Sequence, residues 1–170
     1  MAKYIADVSG RLTEVQPITT SAGVADANKI IQTDASGLLS LSLFPVGIGI
    51  DVTVAPASEN LVAGNFVNKY NNASALNIRK ADATTNTKPA HGFVLANVTS
   101  PANATVYPIA SKNNQLSGMT IGANQWLSTT PGAVTATAPQ AAGNWVQHLG
   151  VAESATAMVF DNASEGWTKI

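Results

Sequence analysis

The sequence predicts a mainly β protein, a small β-barrel or sandwich with an extended N-terminal arm. Three observations predict it. Short runs that alternate apolar and polar residues recur from Gly47 onward, each bounded by Gly, Pro, Asn, Asp or Ser. Helical periodicity with caps is nearly absent; residues 81–86 offer at most a single turn. Residues 1–46 read differently from residues 47–170, with fewer regular runs and a small, polar connector. The expected organisation is therefore an interaction arm over 1–46 and a β domain over 47–170.

The arm is read in pieces. Leu12-Thr13-Glu14-Val15-Gln16 alternates as a strand does, and Pro17 confines it to an edge or an end. Ser21 to Asn28 is the connector. Lys29-Ile30-Ile31-Gln32-Thr33 reads as a strand, Asp34-Ala35-Ser36-Gly37 as a turn, and Leu38 to Pro45 as a second extended segment. In that segment Leu39, Leu41 and Leu43 fall on one face at period two. A short ribbon cannot bury such a face by itself. Leu39, Leu41, Leu43 and the neighbouring Phe44 are therefore candidates for contact with another subunit.

In the β domain, strands are expected around Asp51 to Val54, Asn65 to Tyr70, Leu76 to Arg79, His91 to Ala96 and Ala104 to Ile109. Later strands are expected around Gln125 to Ser128, Ala133 to Ala136, Trp145 to Leu149 and Ala157 to Phe160. Asn71-Asn72-Ala73-Ser74 reads as a turn between two of these. Many short strands at close spacing are the pattern of a small barrel or sandwich.

Composition narrows the function. Only 11% of the 170 residues are charged and the formal net charge is −1, against about 25% charged residues in an ordinary soluble domain. Interface cores are depleted in charge, so a chain this neutral suits a surface that is covered by other subunits. The chain holds no cysteine, which excludes disulfides, thiolate metal sites and thiol chemistry. The N-terminus lacks the uninterrupted apolar run of a signal peptide. The most apolar stretch, Leu38 to Ile50, is too short to span a bilayer and is broken by Pro45, Gly47 and Gly49. No membrane association is expected.

No catalytic or cofactor site is expected. The two histidines, His91 and His148, lie far apart in sequence. A His148, Asp161, Ser154 constellation can be drawn, but no nucleophile elbow surrounds a serine. Asp51, Glu59, Asp82, Glu153, Asp161 and Glu165 are scattered, without calcium-loop spacing, so no metal is assigned. Nucleic-acid binding needs a basic patch; the one adjacent basic pair, Arg79-Lys80, reads as a solvated strand end. Among the tryptophans, Trp126 and Trp145 sit in apolar alternation and read as core, although three such rings also suit a sugar platform. Trp167 lies past the last expected strand, in a terminal tail, and is a candidate anchor because a large ring buries much area with few rotamers to freeze.

Two stretches carry a family resemblance. Asp26 to Leu38, running on to Leu43-Phe44-Pro45, resembles a motif near the start of many phage tail-fibre and head-associated proteins. Ile78-Arg79-Lys80-Ala81-Asp82-Ala83, His91-Gly92-Phe93-Val94, Leu116-Ser117-Gly118-Met119, Gly122, Trp126-Leu127-Ser128, Pro131-Gly132, Pro139 and Val146 through Ala152 resemble a phage virion β module. The resemblance implies a bacteriophage virion structural protein, first of all a capsid decoration (cement) protein that binds and stabilises the capsid exterior. A head-fibre, tail-fibre or tail adaptor protein that binds host glycan is the alternative. The implied partners are the major capsid protein and sister copies, as a trimer. The implied location is the outside of the virion, after synthesis in the bacterial cytoplasm.

Overall fold

The computed structural model describes residues 3–44, 51–161 and 167–170, the side chains of Val8, Leu41 and Trp167 excepted. The chain divides into two compact units, Met1–Gly49 and Ile50–Ile170. The arm-to-domain boundary expected between residues 46 and 47 lies outside the described residues.

The first unit opens with an antiparallel hairpin of β1 (Tyr4–Val8) and β2 (Arg11–Val15). Its two-residue turn places both Ser9 and Gly10 at positive φ, the geometry whose twist matches that of paired strands. The Asp7 carboxylate accepts the Gly10 N–H at 2.7 Å. β1 was not expected from the sequence. The expected strand over residues 29–33 reduces to a single parallel bridge, Ile18 with Ile31. The turn over 34–37 is present: the Gly37 N–H reaches the Asp34 carbonyl at 3.0 Å, and Asp34 Oδ1 accepts from the Ser36 and Leu38 amides.

The second extended segment of the arm is not observed. Leu41–Leu43 forms a 3-10 turn, so the period-two face of Leu39, Leu41 and Leu43 does not run through it. The physical cause is local. Ser40 Oγ lies 2.9 Å from Ser42 Oγ and accepts the Ser42 amide at 3.3 Å, while the Ser40 carbonyl takes the Leu43 amide at 3.1 Å. Serine hydroxyls offer the backbone an alternative to a ladder, and here that alternative prevails over the alternation.

The second unit is built from β3 (Thr53–Pro56), β4 (Phe66–Asn72), β5 (Ala75–Lys80), β6 (Gly92–Phe93), β7 (Asn103–Val106), β8 (Lys112–Asn113), β9 (Asn124–Leu127), β10 (Val134–Thr135), β11 (Trp145–Val151), β12 (Met158–Val159) and β13 (Trp167–Lys169). All pairings between them are antiparallel. The sheets are β5-β4-β6, β3-β7, β12-β8 and a four-stranded β10-β9-β11-β13. Single bridges tie edges together, as at Phe93 with Tyr107 and Ala57 with Ile78. The protein is mainly β, as expected, and of the two expected architectures the sandwich fits: no sheet among the described residues closes into a barrel. Residues 81–86 form turns rather than a helical turn.

Strand alternation explains the layering. Phe66 and Val67 are successive residues of β4 and point to opposite faces. Phe66 joins an apolar cluster with Phe93, Leu127, Leu149, Met158 and Phe160. Val67 joins a second cluster with Leu61, Ile78, Val94, Ala104 and Val106. β4 is thus a partition between two cores. In the first, Phe66 meets Phe160 edge-on at 5.3 Å and Phe93 at 5.8 Å, within the spacing that favours aromatic pairs. Two glycines permit the close approaches. A Cβ at Gly92 would sit 2.5 Å from the Tyr107 carbonyl oxygen, and one at Gly150, at the β-bulge of β11, 2.3 Å from that of Val159.

A buried side chain substitutes for a missing ladder. Gln147 Oε1 accepts the Ala90 N–H at 2.7 Å and Gln147 Nε2 donates to the Ala90 carbonyl at 2.9 Å. The amide pairs with both backbone groups of Ala90 as a neighbouring strand would, which satisfies them away from water.

Candidate functional site

Within the first unit, none of the described side chains is buried. Leu39 and Phe44 are exposed and Leu43 is half-buried; the Leu41 and Trp167 side chains lie outside those described. The exposure extends well beyond the residues expected from sequence. Leu12 is 82% and Val24 93% exposed, and Ile5, Ile30, Ile31 and Leu38 are also in contact with solvent. Leu12 and Ile5 share one face of the hairpin, since Ile5 is opposite Glu14 and Asp7 opposite Leu12. The β-prone run Tyr4-Ile5-Ala6-Asp7-Val8 was a signal for the strand, but Asp7 and Glu14 share the face of Ile5 and Leu12, so no apolar alternation marks that face. Trp167 does not sit in an unpaired tail: its backbone pairs with Gln147 at the start of β13.

The histidines occupy separate settings. His91 stands in a cross-strand row with Asn68 and Arg79. Asn68 Nδ2 donates to the Pro89 carbonyl at 2.9 Å and lies 3.3 Å from His91 Nδ1, which also accepts the Lys69 N–H at 3.1 Å. Arg79 Nε donates to Asn68 Oδ1 at 2.9 Å and its guanidinium reaches the Thr87 carbonyl at 2.6 Å, lying 4.2 Å over the Tyr70 ring. Arg79 is therefore a half-buried organiser of this face rather than a solvated strand end. Partial burial, and then the Lys69 charge, hold the His91 pKa below its ordinary value. His148 Nε2 is 3.2 Å from Asn124 Oδ1 and its ring meets Trp126 edge-on at 4.9 Å. Ser154 Oγ pairs with Thr156 at 3.4 Å.

The tryptophans expected in the core, Trp126 and Trp145, are half-buried and lie outside both apolar clusters. The acidic residues serve local partners. Glu59 accepts the Lys80 amide at 2.9 Å, Glu153 pairs with Lys112 at 2.6 Å, and Asp82 takes the Thr84 amide and hydroxyl. Glu165 lies outside the described residues. Among the described residues no group of three or more metal-ligating side chains converges, and no helix is long and apolar enough to cross a membrane.

The second unit carries a groove of about 440 Å³ where β6 and β7 diverge, lined by Val94 to Val98 on one side and by Asn103, Thr105 and Tyr107 on the other. The Tyr107 ring is backed by Phe93, stacked at 5.7 Å.

No protein-family model matches the chain, and no curated protein matches it. Among solved structures, the chain is similar to the N base of the head fibre gp8.5 of bacteriophage phi29, at 15% identity and a TM-score of 0.44, over 69% of this chain and 99% of that one. A likeness at that level transfers neither residues nor a function.

Proposed function

We propose that the chain is a non-enzymatic structural protein of a bacteriophage particle, and within that class a capsid decoration protein that binds the capsid exterior through its N-terminal unit. One observation carries the docking role: the described part of that unit exposes Ile5, Leu12, Val24, Leu38, Leu39 and Phe44 while burying no side chain. Isolated apolar exposure is ordinary, but the described residues of this unit, none of them buried, form no core from which it could draw stability. Covering by a partner supplies what is missing. The phage character rests on the motif from Asp26 to Leu38 and the β-module residues from Ile78 to Ala152.

In this reading the partners are the major capsid protein and sister copies of the chain in a trimer, with neither nucleic acid nor membrane involved. The mechanism is thermodynamic. A ligand that binds only the assembled shell stabilises it by mass action, and one that bridges neighbouring capsomers makes several contacts break together. The N-terminal motif also supports a second reading, a head-fibre or tail adaptor protein. Electron microscopy of the particle separates the two: many copies spread over the shell are expected, whereas a few copies at a vertex or on the tail would establish the fibre role. His91→Ala and His148→Ala are expected to leave particle assembly intact wherever the fold survives; a folded, particle-bound variant that loses function would overturn the non-enzymatic reading.

A further inference from the structure

We propose that the groove between β7 and residues 94–98 binds a neutral saccharide. The inference stands apart from the decoration reading, since it concerns a ligand of the second unit wherever the chain sits on a particle. It starts from strand geometry. Phe93 and Tyr107 exchange both backbone hydrogen bonds, at 2.9 and 3.1 Å. Alternate residues of an antiparallel strand turn their N–H and C=O groups to the same edge, so Thr105 presents its backbone groups to the edge where Tyr107 meets Phe93. There the facing segment has turned away: Val94 donates to Asn65 and Val98 to Leu61 instead. The departure leaves a groove with an open strand edge on one wall.

The lining specifies the ligand class. Asn103, Thr105 and Tyr107 alternate along β7 and its continuation, so their side chains share the groove face. They supply an amide, a hydroxyl and an aromatic ring. Leu95, Ala96 and Val98 add apolar surface, and no lining side chain is charged. A nucleotide or an anionic sugar would call for a cation here, and a fatty chain would call for a closed apolar cavity. A ring face for C–H groups, beside uncharged donors and acceptors for hydroxyls, matches a neutral sugar. The volume of about 440 Å³ lies in the range of small-ligand sites. Tyr107 is held in place by its stack on Phe93, so the platform is ordered before a ligand arrives.

The test is saturation-transfer NMR on the full chain with galactose, N-acetylglucosamine, maltose and lactose, and with sialyllactose as the anionic comparison. Binding of at least one neutral sugar is expected, with a dissociation constant on the order of 1 mM. Tyr107→Ala should abolish it. Because Tyr107 also packs on Phe93, a second variant, Asn103→Ala with Thr105→Ile, carries the test if the first does not fold. Both substituted positions are exposed, and this variant should melt like the parent and bind at least tenfold more weakly. No transfer from any neutral sugar, stronger binding of sialyllactose, or undiminished binding in the folded double variant would each overturn the proposal.

Discussion

At the scale of single residues, the most consequential side chains are polar ones inside the second unit. Gln147 satisfies both backbone groups of Ala90 within a buried setting. Gln147→Leu keeps the bulk but leaves a donor and an acceptor without partners, each costing about 1–3 kcal/mol. We expect Gln147→Leu to lower stability by about 2–6 kcal/mol, read as a shift of the urea midpoint at unchanged slope. An unchanged midpoint would show that water replaces the amide. His91 makes a second residue-scale prediction. Its folded pKa lies below the ordinary value, so the unfolded chain takes up the proton more readily. Stability should therefore be insensitive to this group at neutral and higher pH, and should fall as pH drops through about 6.5. Lys69, whose amide His91 accepts, becomes a like-charged neighbour of the imidazolium. The residue is exposed as a whole, so solvent screening keeps the effect modest. Melting temperatures of the parent and of His91→Gln between pH 8 and pH 5.5 test it: the gap between their pH slopes should open only below about 6.5.

At the scale of elements, the two ends of the chain contrast. β4 and β5 form a hairpin paired from Val67–Lys80 to Asn72–Ala75, closed by Ala73 and Ser74 at positive φ and steadied by the Ser74 amide on Asn71 Oδ1 at 2.8 Å. Both its faces meet apolar clusters, through Phe66 on one side and Val67 and Ile78 on the other. The β1–β2 hairpin has no buried side chain among those described, and an isolated two-stranded hairpin is marginal in water. Full burial of one leucine-sized side chain contributes roughly 1.5–3 kcal/mol, so a partner that covers Leu12, Leu38 and Leu39 gains several such increments, less the cost of ordering the chain. Deleting residues 1–46 should leave a soluble, cooperatively melting domain that has lost most of its capsid binding or its self-association. Melting curves and capsid co-sedimentation of the truncated chain decide the matter. Undiminished decoration by the truncated form would remove the N-terminal unit from the docking role.

At the scale of the whole molecule, low charge is the governing property. With 11% charged residues, the surface has few groups that resist association with other copies. The decoration reading turns this into an expected trimer. Sedimentation at micromolar concentration should show it, and a clean monomer both free and on the particle would sink it. In such a trimer, closed symmetry would give the exposed hairpin a defined neighbour and limit open-ended edge pairing.

The sequence by itself determined the class and the longer strands. Residues 65–70, 76–79, 104–109 and 145–149 carry enough alternation to be read as strands without a structure, and turns such as 34–37 and 71–74 carry their own chemistry in Asp, Asn and Gly. Tertiary structure alone decided the rest. β8 is two residues long, too short to hold a periodic signal, and exists because a distant partner, β12, pairs with it. Leu41–Leu43 alternates like a strand, yet hydroxyls of neighbouring serines bend it into a 3-10 turn. The groove beside Tyr107 arises where residues 94–98 leave β7 to bond with Leu61 and Asn65. Gln147 meets Ala90 across 57 positions. Local pattern reports which face of a strand is apolar; which edge it meets, and where an edge is left open, depends on contacts between residues far apart in the chain.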